Sequence, residues 1–321
     1  MDRVTAPTTL TYAERPTGPL FLDLYRPRRP GPGPVPVVLW LHGGGWFTGD
    51  RTLAPDLWAH FADTGIAMAS IDYRLTGEAI FPAQLHDVRA AIRFLRSNAE
   101  NLGLDAGRIG AWGASAGGHL AALAGLTGHL AALPGEDDDG DASLQAVAES
   151  YGPVDLTEAD VPPGAPLPGR NPRDSPEARL IGGLPDEQPG TAAAASPHLQ
   201  VTAAAPPFQI SHGTGDILVS HRHSELLHQS LVSHGVPSDL YLVDDYRHGF
   251  LNPGGRLDLA MAAVMDDGRL TDEGSAAATL RSGAEPGRRT RFSFDTVGQF
   301  FRNHLLSSSD SVTASHTEGL A

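Results

Sequence analysis

The chain has 321 residues, 23 of them basic and 38 acidic, so its formal net charge is −15. This charge argues against a nucleic-acid or anionic-membrane partner, because binding to phosphates requires clustered cations. The sequence contains no cysteine, which excludes disulfides, thiolate metal sites and a cysteine nucleophile.

Strands and helices alternate along the first part of the chain. The apolar run Val37–Leu41 is too short for a helix and is bounded by turn residues, which indicates a buried strand. The clearest helix is predicted over Pro82–Asn101, where apolar residues recur at three- and four-residue steps. The predicted elements of this part are, in chain order, an extended run Leu20–Tyr25, strand Val37–Leu41, helix Leu53–Asp63, strand Ile66–Ile71, helix Pro82–Asn101, strand Arg108–Trp112 and helix Ala116–Leu126.

Two more strand–helix pairs are predicted later in the chain. Strand Pro207–Ser211 precedes helix Val219–His234, and strand Leu240–Val243 precedes a last helix at Phe294–Leu305. Strands that alternate with helices indicate a mostly parallel sheet with helices on both faces. We therefore expect a single α/β domain over residues 1–306.

The segment Gly113-Ala114-Ser115-Ala116-Gly117 fits the G-x-S-x-G elbow and lies between a predicted strand and a predicted helix. In such a sharp turn, side chains two positions either side of Ser115 would clash, so glycine is needed at 113 and 117. The turn would lift the Ser115 hydroxyl to the carboxyl edge of the sheet. The simpler alternative is a glycine- and alanine-rich helix start.

A serine nucleophile needs a base, and the base needs an orienting acid. His248 follows the predicted strand Leu240–Val243 on a loop, and Asp216 follows the strand before it. The order Ser115, Asp216, His248 is the order expected for a catalytic triad on this kind of sheet. These three residues are therefore the predicted catalytic group.

Donors for the oxyanion of a tetrahedral intermediate are also present. The cluster His42-Gly43-Gly44-Gly45 follows a predicted strand and offers backbone N–H groups without Cβ obstruction. We expect Gly43, Gly44 and Ala116 to form the oxyanion hole. A phosphate-binding loop is excluded, because neither G-x-G-x-x-G nor G-x-x-x-x-G-K-[ST] occurs in the sequence.

No metal or other cofactor is expected. The histidines His212, His221 and His223 lie near one another in sequence but do not form an H-E-x-x-H motif. The acidic run Glu136–Asp141 lacks the spacing of an EF-hand loop. Protein groups and water suffice for the predicted mechanism.

Together these motifs resemble those of known hydrolases. His42–Trp46 resembles the HGGG oxyanion motif of hormone-sensitive-lipase-like enzymes, and Gly113–His119 resembles the G-x-S-A-G-G-H elbow of bacterial feruloyl- and acetyl-xylan-esterase-like hydrolases. The sequence is thus similar to serine esterases of the α/β-hydrolase superfamily. This resemblance implies an α/β-hydrolase fold: a central, mostly parallel sheet of about eight strands flanked by helices, with a small cap insertion.

Three segments depart from the alternating pattern. Residues 128–202 are expected to form the cap. Residues 254–291 are expected to be an extra insertion, partly helical around Leu257–Met265, since relatives usually pass almost directly from the histidine loop into the final helix. This insertion could cover the site entrance, form a homodimer contact or be a tolerated surface insertion. The polar tail, residues 307–321, is expected to be disordered.

We expect a serine carboxylic-ester hydrolase that acts through an acyl-enzyme on a small to medium ester, aromatic esters included. Two alternatives remain: an arylformamidase-like amide hydrolase, and a cyclase, lyase or acyl transferase on the same scaffold. Five aromatic residues next to the motif loops are candidates for the substrate pocket, namely Trp46, Phe47, Tyr73, Tyr151 and Phe250.

The remaining expectations concern location. Met1–Leu10 lacks a charged segment followed by an apolar one, so no signal peptide is expected. No stretch approaches the roughly 18 apolar residues of a transmembrane helix. A cytoplasmic, globular protein is the simplest interpretation.

Overall fold

The computed structural model of the chain describes residues 6–28, 30, 33–136, 140–157, 171–255 and 263–306. Within these ranges a single sheet contains ten strands. The strands are β1 (Thr8–Arg15), β2 (Gly18–Tyr25), β3 (Val35–Leu41), β4 (Ala67–Ile71), β5 (Leu104–Ala114), β6 (Ala146–Ser150), β7 (Phe208–Gly213), β8 (Ser238–Val243), β9 (Ala276–Ser282) and β10 (Arg288–Phe292).

Helices connect most of these strands. Short 3₁₀ turns occur at Pro172–Asp174 and Pro197–Gln200. The α-helices are α1 (Leu57–Phe61), α2 (Ala83–Ser97), α3 (Ala99–Leu102), α4 (Ala116–Thr127), α5 (Pro176–Ile181), α6 (Pro189–Ala194), α7 (Arg222–Ser233), α8 (Arg269–Glu273) and α9 (Phe294–Leu305).

The centre of the sheet is parallel and its edges are antiparallel. The strand order is β1-β2-β4-β3-β5-β6-β7-β8-β9-β10. The six strands from β4 to β8 in this order pair in parallel, whereas β1, β2, β9 and β10 join antiparallel. Every residue of β3 is buried, as expected for a parallel strand covered on both faces.

Two apolar cores lie on opposite faces of the sheet. One contains the apolar residues of α2, α4 and α7, such as Ile92, Leu120 and Leu227. The other contains α1 and α9, where Phe61 and Phe301 pack in one cluster with Trp40 and Trp112, whose rings lie edge to face. The three layers confirm the predicted α/β-hydrolase architecture, in which the carboxyl ends of the parallel strands meet at one edge.

Two expectations about the sheet are wrong. It has ten strands rather than about eight, and four of them, namely β1, β6, β9 and β10, match no strand that the sequence predicts. The segment expected to be a cap, residues 128–202, also supplies β6, a fully buried strand between β5 and β7. The sequence of β6 is AVAES, whose apolar run is too short and too small to indicate a central strand.

The segment 254–291 is not an insertion beside the fold but part of the sheet. β9 and β10 form an antiparallel hairpin that extends the sheet beyond β8. Along β9 the side chains of Ala276, Ala278 and Leu280 are buried and alternate with more exposed ones, and alanines make this pattern weak in the sequence. Three stretches lie outside the described residues: most of the helix predicted around Leu257–Met265, residues 158–170 of the expected cap, and the tail 307–321.

Candidate active site

Ser115 stands at the sharp turn between β5 and α4. Its backbone has φ 56° and ψ −123°, a conformation that residues with a side chain rarely adopt. The turn is held by two backbone hydrogen bonds: Ser115 N–H donates to Ser150 O at 2.8 Å, and Ser115 O accepts from His119 N–H at 3.0 Å. The turn therefore fixes a partly exposed hydroxyl at the carboxyl edge of the sheet.

Close backbone contacts explain the glycines on either side. A Cβ on Gly113 would lie 2.1 Å from the carbonyl oxygen of Gly117. A Cβ on Gly117 would lie 2.0 Å from the carbonyl oxygen of Leu41 at the end of β3. Both distances are far below van der Waals contact, so the turn requires glycine at both positions.

His248 and Asp216 reach this serine from the loops after β8 and β7. His248 Nε2 lies 2.8 Å from Ser115 Oγ, and His248 Nδ1 lies 2.6 Å from Asp216 Oδ2. The imidazole can therefore take the hydroxyl proton on one nitrogen while the other donates to a carboxylate. The three predicted catalytic residues thus lie in one hydrogen-bonded chain.

Asp216 is held by donors on both carboxyl oxygens. Its Oδ1 accepts from the N–H groups of Leu218 at 2.8 Å and Val219 at 3.0 Å. Its Oδ2 lies 3.3 Å from His212 Nε2 in addition to the contact with His248. Burial raises the pKa of the Asp216 carboxyl, but the neighbouring His248 and His212 outweigh burial and hold that pKa well below its usual value. The carboxylate is therefore ionised at neutral pH.

His212 is a site residue that sequence reasoning missed. The sequence pattern suggests His212 only as a metal ligand, although it lies near the end of β7, four residues before the acid. In the structure it is fully buried, with Nδ1 2.7 Å from Ser224 Oγ and Nε2 3.0 Å from Val219 O. It contacts the same carboxyl oxygen of Asp216 that His248 contacts.

The glycine loop after β3 lies directly against the serine. A Cβ on Gly43 would lie 3.3 Å from Ser115 Cβ. Gly44 has φ 108°, and its carbonyl accepts from Thr48 N–H at 3.1 Å, which folds the loop back on itself. Ala116 begins α4, and the first N–H groups of a helix have no acceptor within the helix. The predicted oxyanion donors thus come from two segments that meet at Ser115.

Four of the five predicted pocket residues are buried in the protein. Tyr73 donates from its hydroxyl to His42 O at 2.8 Å and stacks on the His42 ring, which supports the glycine loop. Trp46 packs edge-on against His119. Tyr151 packs between His248 and Phe250, with ring centroids 4.9 Å and 4.7 Å away, respectively.

Phe47, in contrast, is 44% exposed. Of the buried four, Tyr151 contacts the catalytic chain directly, whereas the exposed Phe47 ring lies beside Gly45 of the glycine loop. Sequence proximity to the motif loops could not separate these two situations, because it carries no information on which way a ring points.

The described part of the chain contains neither a cluster of metal-ligating side chains nor a membrane-spanning helix. No group of three or more His, Asp or Glu side chains there is arranged to hold a metal ion. Among the same residues, no helix is both long and apolar enough to cross a membrane.

A mostly parallel sheet with a serine at a strand–helix elbow, and with an acid and a histidine after later strands, defines an α/β-hydrolase. The sequence pattern of the BD-FAE family matches residues 22–231, well over half of the chain. The chain belongs to this family.

Several curated relatives and solved structures to which the chain is similar are esterases. The chain is 34% identical to esterase LipC of Mycobacterium tuberculosis over 201 residues, which is 62% of this chain and 49% of LipC. It is 33% identical to esterase LipQ of the same organism over 223 residues, or 69% of this chain and 52% of LipQ. The chain therefore spans about half the length of these relatives.

Two solved structures are similar in fold and sequence. A truncated carbohydrate esterase from gut microbiota aligns with a TM-score of 0.65 and 30% identity, covering 77% of this chain and 90% of that one. Esterase Est2 of Thermogutta terrifontis, in a propionate-bound form, aligns with a TM-score of 0.63 and 25% identity, covering 84% and 94%, respectively.

Proposed function

We propose that this chain hydrolyses carboxylic esters through an acyl-enzyme formed on Ser115. The observation that carries the proposal is the continuous chain from Ser115 Oγ through His248 to Asp216, with contacts of 2.8 Å and 2.6 Å. The similarity to esterases LipC and LipQ supports carboxylic esters as the substrate class.

The chemistry follows from this geometry. Ser115 Oγ attacks the ester carbonyl carbon while His248 Nε2 takes its proton, and ionised Asp216 stabilises the resulting imidazolium. The negative oxygen of the tetrahedral intermediate faces the N–H groups of Gly43, Gly44 and Ala116. The intermediate collapses, and the leaving alcohol takes the proton from His248. A water then attacks the acyl-enzyme with His248 as base, and the carboxylic acid is released.

An apolar rim supports esters of small to medium size, including aromatic ones. Phe47 follows the glycine loop, and the exposed side chains Ile217 and Leu218 directly follow Asp216. The Arg179 guanidinium of α5 lies 5.4 Å from the Phe47 ring centroid and packs against that ring. An acyl or alcohol group larger than acetyl would therefore meet apolar surface.

The proposal is tested with p-nitrophenyl esters from acetate to decanoate, assayed together with mass spectrometry of the protein after reaction with a fluorophosphonate. We expect hydrolysis that is fastest on the shorter chains, and one fluorophosphonate adduct, located on Ser115. An adduct without hydrolysis of any ester would favour formamide hydrolysis or acyl transfer. If the protein forms no adduct and hydrolyses no ester, it is not a serine hydrolase.

Phe47→Ala is expected to raise KM for the longer and aromatic esters by about 3- to 10-fold, with kcat little changed. The reason is the loss of apolar contact, worth about 1 kcal/mol, that substrate and transition state use equally. The matched control is Leu130→Ala, which removes an exposed apolar side chain outside the site. A fall in kcat at unchanged KM would show that Phe47 does not act through substrate binding.

A further inference from the structure

The loop that carries the catalytic histidine extends well beyond the sheet. His248 lies several residues after Val243, the last residue of β8. Asp216 is fixed separately, by two backbone N–H groups of its own loop. The contacts of 2.8 Å from His248 to Ser115 and 2.6 Å to Asp216 therefore depend on how the loop 244–250 is held in place.

Asp266 holds the backbone of this loop at two points. Its Oδ2 accepts from Arg247 N–H at 2.8 Å, and its own N–H donates to His248 O at 2.8 Å. Met265, the residue before it, forms a parallel β-bridge with His248. Asp266 thus fixes the chain both at the catalytic histidine and at the residue before it.

The Asp266 carboxylate is also the centre of an ion-pair cluster. Arg247 Nε and Nη2 lie 3.1 Å and 3.0 Å from Oδ1, and Arg269 Nη1 of α8 lies 3.0 Å from Oδ2. The Asp266 side chain is only 5% exposed, whereas those of Arg247 and Arg269 are 41% and 34% exposed. Water can therefore solvate both arginines when the carboxylate is removed, so we expect variants at position 266 to fold.

Arg269 extends the same support to the start of the loop. Its Nη1 donates to Asp245 O at 3.1 Å, and its guanidinium lies over the Tyr246 ring, 3.9 Å from the centroid. Glu273, one turn later on α8, accepts from Arg269 Nε and from the Tyr246 hydroxyl, both at 2.8 Å. Four consecutive loop residues therefore contact this part of the chain.

We propose that residues 265–273 form a clamp on the catalytic loop and that Asp266 is its positioning residue: by bonding Arg247 N–H and His248 O, it sets the distance from His248 Nε2 to Ser115 Oγ. The inference rests on the ester hydrolysis proposed above. Asp266 acts through the loop and takes no part in proton transfer. The proposal also gives a role to part of the segment 254–291, beyond its contribution of two strands to the sheet.

The first test compares Asp266→Ala with Asp266→Asn. D266A removes the bond to Arg247 N–H together with both ion pairs, and we expect kcat to fall about 10- to 100-fold with KM nearly unchanged. The reason is that a small displacement of a catalytic group slows the reaction without weakening substrate binding. An asparagine can still accept from Arg247 N–H through its amide oxygen, so kcat of D266N should fall only about 3- to 10-fold.

Glu136→Gln is the matched control for lost stability. Glu136 also joins two arginines, Arg89 and Arg93, to a backbone N–H. Arg89 donates to Thr127 O, at the end of α4 that lies about 18 Å along the helix from Ser115. These arginines are 0% and 5% exposed, so E136Q should lower Tm at least as much as D266A. Its kcat should nevertheless stay within about 2-fold of the wild type. A loss of kcat in E136Q as large as in D266A would overturn the proposal, because activity would then follow stability.

The proton NMR signal of His248 Nδ1–H gives a readout that does not require turnover. An imidazole N–H bonded to a carboxylate oxygen at 2.6 Å gives a signal far downfield, and Asp216 is held independently, so the signal reports the position of the His248 loop. It should shift or broaden in D266A and D266N and stay unchanged in E136Q.

Two results would contradict the clamp: an unchanged Nδ1–H signal in the Asp266 variants, or kcat of both variants within about 2-fold of the wild type. If instead the signal responds as expected but the wild type hydrolyses no ester, the proposed function fails and the positioning of His248 by Asp266 stands.

Discussion

Ser115→Ala is expected to lower kcat for p-nitrophenyl esters by about 10⁴- to 10⁶-fold, because no other hydroxyl is hydrogen-bonded to His248 Nε2 within the described residues. The variant should fold normally. Alanine keeps the Cβ that already occupies the strained turn, and the backbone bonds to Ser150 and His119 do not involve the hydroxyl. A residual rate above the uncatalysed one would come from the oxyanion donors and from binding.

The control for this variant is Ser233→Ala at the exposed end of α7, far from the elbow in sequence. The hydroxyl of Ser233 donates to Ser230 O. It should retain wild-type kcat. The fluorophosphonate adduct should disappear in S115A and persist in S233A. Ester hydrolysis by S115A at more than about a hundredth of the wild-type rate would show that the nucleophile is another group.

The sequence motifs located the reacting residues because each motif reflects a local constraint. The elbow requires glycine at 113 because of its own backbone and at 117 because the end of β3 passes beside it, and the later acid and histidine each follow an apolar strand. Parallel strands place their carboxyl ends at one edge, so residues far apart in sequence could be expected to meet. The structure brings Ser115, Asp216 and His248 together at that edge.

Other features depend on contacts that no local pattern encodes. β6 and β9 are alanine-rich, so their burial follows from the strands beside them rather than from their own hydrophobicity. His212 contacts both Asp216 and Ser224 only because α7 packs against the end of β7. A polar residue in a short strand looks the same in sequence whether it faces solvent or a buried hydroxyl.

Asp216→Asn is the second change with a large expected effect, and the donors around the carboxylate explain why. If the amide oxygen accepts from Leu218 and Val219 N–H, the amide NH₂ group faces Nδ1–H of His248 and Nε2–H of His212. If the amide is flipped, its NH₂ group faces the two backbone donors instead. In either orientation two hydrogen-bond donors face each other. In the first orientation this repulsion is relieved only when the His248 proton moves from Nδ1 to Nε2.

With a proton on Nε2, His248 cannot accept the proton of Ser115, and the imidazolium formed during attack also loses its carboxylate. We expect kcat to fall about 10³- to 10⁴-fold with KM nearly unchanged, and fluorophosphonate labelling of Ser115 to slow in parallel. Because the pKa of Asp216 lies well below its usual value, mild acidification of the wild type should not reproduce this loss through Asp216. The control is Asp244→Asn, which removes a surface ion pair with Arg289 and should keep full activity. A D216N protein within about 10-fold of the wild type would mean that Asp216 does not orient the base.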